Sequence, residues 1–141
     1  MVYVSRTEHF SAAHKLYNNQ WSEERNSEVF GPCANANMHG HNFELIVTVK
    51  GTPDPETGFV VDMKALGKVV REHIISQVNH KNLNCDVDFL QGKLTSCEVM
   101  VMEFWKILAP RIQQLTQTGQ LHSIKLYETP KNFVEYYGEA S

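Results

Sequence analysis

The sequence of 141 residues has no apolar run approaching the ~18 needed to cross a bilayer, which excludes a membrane-spanning helix. It has no basic excess either. Lys and Arg total 13 against 16 Asp and Glu, a formal net charge of −3 with the seven histidines counted neutral. That balance is near zero and of the wrong sign for a dedicated nucleic-acid binder, and leaves room only for a local basic patch. Cysteine is scarce: Cys33, Cys85 and Cys97 form no even disulfide framework, so the expected setting is a reducing one. The segment from Met1 to Glu8 lacks the basic block and following apolar block of a signal peptide, which agrees with a cytoplasmic expectation. Internal repeats and low-complexity linkers are missing as well, and the length suits a single domain over residues 1–141. What is present is a hydrophobic fraction of 42% with 10% aromatics, enough for a core and too much for a disordered chain.

Val2 to His14 is rich in β-formers but alternates poorly after Val4. Residues 18–38, rich in Asn, Ser, Glu and Gly, read as one long loop, and loops of that length in a compact domain are usually functional. From His39 a strand begins, with Phe43, Leu45, Val47 and Val49 alternating with polar residues until the Pro53–Gly58 turn. Asp62 is the expected N-cap of a helix carrying Leu66, Val69, Val70, His73 and Ile74. Thr95 or Ser96 caps a second helix with a stripe of Val101, Trp105, Leu108, Ile112 and Leu115, and Pro110 is a candidate kink. Strand patterning returns at Ile124 and Leu126 and again at Phe133–Tyr137. The expected order is ββααββ, an α+β domain with an antiparallel sheet and helices on one face.

Chemistry concentrates at His39-Gly40-His41. Residues i and i+2 of a strand share a face, so both imidazoles can approach one point. An HxH pair alone is more often surface decoration. His14, near the end of the first strand, strengthens it, because the end of one antiparallel strand meets the start of its neighbour. Three neutral imidazoles with a free fourth position describe a catalytic zinc site. Cys33, six residues before His39, reads either as a fourth ligand or as a nucleophile or general base close to the metal. Cys85 and Cys97 read as buried, inert thiols. His9, His73 and His122 lack such geometry and read as structural or exposed.

These residues sit in a wider pattern. Phe10-Ser11-Ala12-Ala13-His14, Phe30-Gly31-Pro32-Cys33, His39-Gly40-His41-Asn42-Phe43, Asn79-His80-Lys81-Asn82-Leu83-Asn84, Glu98 and Tyr127-Glu128-Thr129-Pro130-Lys131-Asn132 follow one another in the order of a known family. Over nearly the whole chain the sequence resembles the 6-pyruvoyl-tetrahydropterin synthases. The resemblance implies the tunnelling fold: four antiparallel strands with two helices inserted between the hairpins. Subunits then close into trimeric barrels that stack as a homohexamer, with active sites between subunits. It implies a lyase that converts 7,8-dihydroneopterin triphosphate to 6-pyruvoyl-tetrahydropterin and releases triphosphate, in tetrahydrobiopterin biosynthesis. His14, His39 and His41 match the zinc ligands, Cys33 the proton acceptor and His80 a relay residue. Glu128 matches the carboxylate that anchors the pterin, and Glu98 falls at a matching substrate-binding position.

The chemistry is compatible from below. Moving protons along a side chain and expelling triphosphate needs a Lewis acid and proton-exchanging groups, with no redox cofactor. Glu128 shares strand parity with Ile124 and Leu126 and is expected to face inward, where the pterin's paired N–H donors would satisfy it. Arg6, Lys15, Lys64, Lys81 and Lys131 are all candidate triphosphate contacts, and pattern singles out none of them. Two positions depart from the family: Asn79 stands where Asp is usual before the relay histidine, and Val99 where Asn is common. An amide can orient a neighbour but cannot accept a proton. The family's other branch, the 6-carboxy-tetrahydropterin synthases of deazaguanine biosynthesis, usually places its Cys four residues before HGH. The six-residue gap here favours the pyruvoyl branch. A pterin-binding paralogue with little catalysis is the alternative from outside enzymology.

Overall fold

Val2–His14 forms the first strand, β1, and His39–Gly51 the second, β2. They pair antiparallel along their whole length, from Val2 opposite Gly51 to His14 opposite His39. On the inward face Phe10 stacks on Phe43 with ring centroids 4.7 Å apart, and Leu45, Val47 and Val49 are fully buried. The weak alternation of β1 has a physical explanation. Arg6 and Glu8 occupy inward positions, and Glu8 is shielded by Arg6 Nε at 3.2 Å and by Arg71 at 3.3 Å. A polar pair therefore continues the inward row that Val4 starts and Phe10 resumes.

The computed structural model describes residues 1–139, so the last two residues of the expected domain lie outside it. The remaining elements are α1 (Glu23–Phe30), α2 (Met63–Val70), α3 (Ser76–Val78), β3 (Lys81–Asn82), α4 (Cys97–Gln113), β4 (Gly119–Thr129) and β5 (Asn132–Tyr136). A π-helical turn, Arg71–Ile75, joins α2 to α3. One sheet runs in the order β3-β1-β2-β4-β5. The architecture is α+β, and helices α2 and α4 bury Leu66, Val70, Met100, Phe104 and Leu108 with the inward face of the sheet.

The ββααββ order and the all-antiparallel sheet need correction. Residues 18–38 are not one loop, because α1 lies within them, capped by the Ser22 hydroxyl accepting from Arg25 N–H. Its one buried residue is Asn26, whose amide nitrogen donates to the carbonyls of Asn18 and Ser22. A helix held by an asparagine carries no apolar stripe, so periodicity misses it. The sheet has five strands and is mixed, since β3 pairs parallel with Ala12 and Ala13 of β1. Two residues are too few to leave an alternation. On α4 the fully buried aromatic is Phe104 and Trp105 is half-buried, while Leu115, expected on the same stripe, lies in the turn beyond the helix end and is half-buried. Pro110 is accommodated, and the helix continues to Gln113.

At the strand end remote from the histidines, Gly51 pairs with Gly119 of β4. A β-carbon on Gly51 would lie 2.5 Å from the Thr118 carbonyl oxygen and 2.7 Å from the Gly119 α-carbon. Both obstacles are backbone and cannot swing aside. Gly51→Ala is expected to cost ~1–3 kcal/mol, read as a lower urea midpoint, with metal binding unchanged. An unchanged midpoint would show that the strand end opens freely.

Candidate metal centre

The β1–β2 register brings His14 directly opposite His39 and places His41 opposite Ala12. Ring centroids are 4.6 Å apart for His14 and His39, 4.7 Å for His39 and His41, and 5.4 Å for His14 and His41. Glu128 arrives from the end of β4, with Oε1 3.0 Å from His41 Nε2 and 3.4 Å from His14 Nε2. One donor atom from each of these four residues lies within 4.8 Å of the others. The three expected ligands are thus brought together, and Glu128, expected to face inward, joins them.

Two features fit this cluster to a metal ion. His14 Nδ1 lies 2.8 Å from the Thr95 carbonyl, which can only accept, so Nδ1 carries the proton and Nε2 offers its lone pair to the cluster. The Nε2 atoms of His14 and His41 are buried without a hydrogen-bond partner, because the short approach of Glu128 lacks hydrogen-bond alignment. Buried polar atoms without partners are uncommon and call for an explanation. Three imidazole nitrogens form a donor set that suits zinc and leaves a fourth position open, with the Glu128 carboxylate beside it. Burial lowers the pKa of His14, outweighing the carbonyl of Thr95 and Glu128; burial and the neighbouring His41 lower that of His39. Both rings are held neutral, as ligands must be.

The other expected site residues are arranged around this centre. Cys33 is half-buried in the turn Gly31–Ala34, its carbonyl accepting from Leu16 N–H at 2.7 Å, and its thiol is not among the converging atoms. His80 is exposed and holds a positive φ of 61°. It lines a cavity of about 560 Å³ together with His41, Ser11, Asn42 and Lys81. Asn79 is turned toward β1: its Oδ1 accepts from Ser11 N–H at 3.0 Å, while His80 N–H donates to the Ser11 carbonyl at 2.6 Å. Glu98 is exposed in the first turn of α4. Of the two thiols expected to be buried, Cys97 is buried and Cys85 is exposed, on a turn of the 82–86 segment. Sequence reasoning missed Thr95 as the partner of His14, because it acts through its carbonyl, which any residue carries.

Because His14 and His39 titrate below the ordinary 6.5 in the folded chain, the unfolded chain takes up their protons first as pH falls. Metal-free protein should therefore lose stability from about pH 6.5 downward. Urea unfolding at pH 8 and pH 5.5 measures this, and the loss should shrink in the His14→Gln, His39→Gln double variant. An equal loss in that variant would place its origin elsewhere.

Comparison with known proteins agrees with this geometry. Residues 3–139 match the family model described as 6-pyruvoyl tetrahydropterin synthase. A Homo sapiens protein named 6-pyruvoyl tetrahydrobiopterin synthase is 40% identical over 136 residues, covering 96% of this chain and 91% of that one. A Bacillus subtilis protein named 6-carboxy-5,6,7,8-tetrahydropterin synthase is 25% identical over 136 residues, covering 94% and 83%. The solved structure of Caenorhabditis elegans 6-pyruvoyl tetrahydropterin synthase superposes with a TM-score of 0.87 at 32% identity, covering 98% of this chain and 96% of that one. A chain so matched from end to end, with its histidines already gathered at one point, belongs to the 6-pyruvoyl tetrahydropterin synthase family.

Proposed function

We propose that this protein is a zinc-dependent lyase converting 7,8-dihydroneopterin triphosphate to 6-pyruvoyl-tetrahydropterin with release of triphosphate. The observation that carries the reading is the convergence of His14, His39, His41 and Glu128, with two buried Nε2 atoms left unpartnered. The higher identity to the pyruvoyl-named relative than to the carboxy-named one favours this branch over 6-carboxy-tetrahydropterin synthesis.

A zinc ion bound by the three histidines would polarise the substrate's side-chain oxygens and acidify the adjacent C–H bonds. The remaining work falls to the chain itself. Thr95 holds His14 in the tautomer that presents Nε2. Glu128 is the carboxylate available to the paired N–H donors of a pterin, and Glu98 is assigned a second substrate contact at the start of α4. Cys33 is assigned the proton-accepting role and His80 the relay. Asn79 positions His80 through their shared attachment to Ser11, a task that needs a hydrogen-bond acceptor but no negative charge. That supports turnover with an amide where the family usually has Asp. The three free cysteines support a cytoplasmic setting. Among the described residues no helix is long and apolar enough to cross a membrane.

Product analysis after incubation with dihydroneopterin triphosphate tests the reading, paired with metal analysis of two variants. Cys33→Ala should abolish turnover, a loss of at least about 100-fold, and keep its zinc. His41→Ala should lose both. Wild-type protein that forms no 6-pyruvoyl product would overturn the activity, and full zinc content in His41→Ala would overturn the ligand set.

We further propose that subunits close into trimeric barrels stacked as a hexamer. The outer edge of β5 and the exposed sheet face bearing Tyr3, Ser5, Thr7 and His9 support this, because closing a sheet with neighbours removes its edges. Sedimentation should give a hexamer at micromolar concentration, and a monomer would contradict it.

A further inference from the structure

His14 is the last residue of β1, so the sheet stops supporting the chain just where a ligand is needed. On one side His14 still pairs with His39 of β2. On the other side the 80–84 segment follows β1, with Leu83 N–H donating to the Ala13 carbonyl at 2.8 Å. The β3 pairing itself reaches only Ala12 and Ala13, which leaves Lys15 beyond the ladder. A side chain takes the place of the missing strand. Asn84 Oδ1 accepts from Lys15 N–H at 2.9 Å, and Asn84 Nδ2 donates to the Lys15 carbonyl at 3.0 Å. One carboxamide thus satisfies both backbone groups of one residue, as a paired antiparallel strand does.

The same carboxamide reaches the other support of His14. Thr95 is fully buried in the irregular segment ahead of α4. Its hydroxyl lies 3.3 Å from the Lys15 carbonyl and 3.4 Å from Asn84 Oδ1, so its single proton serves two acceptors. Its carbonyl accepts from His14 Nδ1 at 2.8 Å. His14, Lys15, Asn84 and Thr95 therefore close a ring of chain and hydrogen bonds. Asn84 is fixed in turn, its N–H donating to Asn82 Oδ1 at 2.9 Å, while Asn82 N–H donates to Asp86 Oδ2 at 3.0 Å. Asn82 Nδ2 also lies 2.9 Å from the sulfur of Met38, the residue before His39. This one polar loop touches the chain after His14 and the chain before His39.

We infer that Asn84 is a positioning residue of the metal centre, joining the chain that carries His14 to the chain that fixes its tautomer, and so setting zinc affinity. The inference rests on the reading of His14, His39 and His41 as a zinc site. The partner of a ligand histidine's second nitrogen sets the ring's orientation and tautomer. A carbonyl can do this only as well as its own chain is held, and Asn84 ties Thr95 to the end of β1. Without the carboxamide, Lys15 N–H loses its acceptor and the Thr95 hydroxyl loses one of two. A residue that merely packed the turn would leave the imidazole of His14 as it is.

Two measurements on the full chain test this, one with metal and one without. Chelator competition with zinc alone should show an affinity about tenfold lower or more in Asn84→Ala. Asn84→Asp keeps the acceptor for Lys15 N–H but faces the Lys15 carbonyl with a second acceptor, so its affinity should fall between the two. In metal-free protein at pH 8, nitrogen-15 NMR of the imidazoles should find His14 of the wild type as the Nδ1–H tautomer. Asn84→Ala should give a mixture of tautomers. Equal zinc affinity in Asn84→Ala, or an unchanged His14 tautomer, would overturn the positioning role. If Asn84→Ala does not fold, Asn84→Asp carries both comparisons, and wild-type behaviour in it overturns the role equally. If wild type takes up no zinc while the variant still mixes the His14 tautomers, the metal reading fails and the positioning of His14 stands.

Discussion

The antiparallel register of β1 on β2 is the constraint on which the rest of the structure depends. It sets His14 against His39 and leaves His41 on the same face. A slip of one residue would send the imidazoles of one strand to the opposite face of the sheet and dissolve the cluster. Stacking of Phe10 on Phe43 resists such a slip, because it would turn a fully buried ring outward. The two strands therefore serve the core and the metal centre with one alternation. Apolar side chains occupy its middle and imidazoles its end.

That economy explains what was legible in the sequence. Phe43, Leu45, Val47 and Val49 alternate plainly, so the strand was legible, and with it the shared face of His39 and His41. His14 could be added because antiparallel neighbours meet end to start. Illegible features were those held by backbone or by polar side chains. Helix α1 rests on Ser22 and Asn26, the inward row of β1 passes through Arg6 and Glu8, and β3 is two residues long. Thr95 holds His14 through a carbonyl and Asn84 clamps Lys15 through its backbone. Such interactions leave no periodic trace, since hydrophobic patterning records only what apolar burial selects.

The strained backbone falls in the same region. Among the described residues the non-glycine positive φ values belong to Met38, immediately before His39, and to His80. Such conformations cost of order 1–3 kcal/mol each and persist where surrounding contacts overdetermine them. Here the contacts are visible. Met38 N–H donates to the Asn35 carbonyl, and His80 N–H to Ser11. The segments that enter β2 and β3 are thus held at the rim of the site by hydrogen bonds to neighbouring chain.

Two thiols lie close to this region in sequence, and their surroundings separate them. Cys97 follows the cap of α4, and burial first, then the charges of Glu128 and Glu98, push its pKa up to about 12. Without metal it stays a neutral thiol near neutral pH, and its sulfur is not among the donor atoms gathered with the histidines. The same burial that suits Cys97 to packing disqualifies it from chemistry. Cys33 occupies a different environment, a half-buried turn between α1 and β2 that is built from Gly31 and Pro32 rather than from core. A proton acceptor must exchange its proton with solvent, and the half-buried Cys33 is more open to it than the buried Cys97. The difference in burial between the two cysteines agrees with the proposal that the proton-accepting role falls to Cys33 rather than to Cys97.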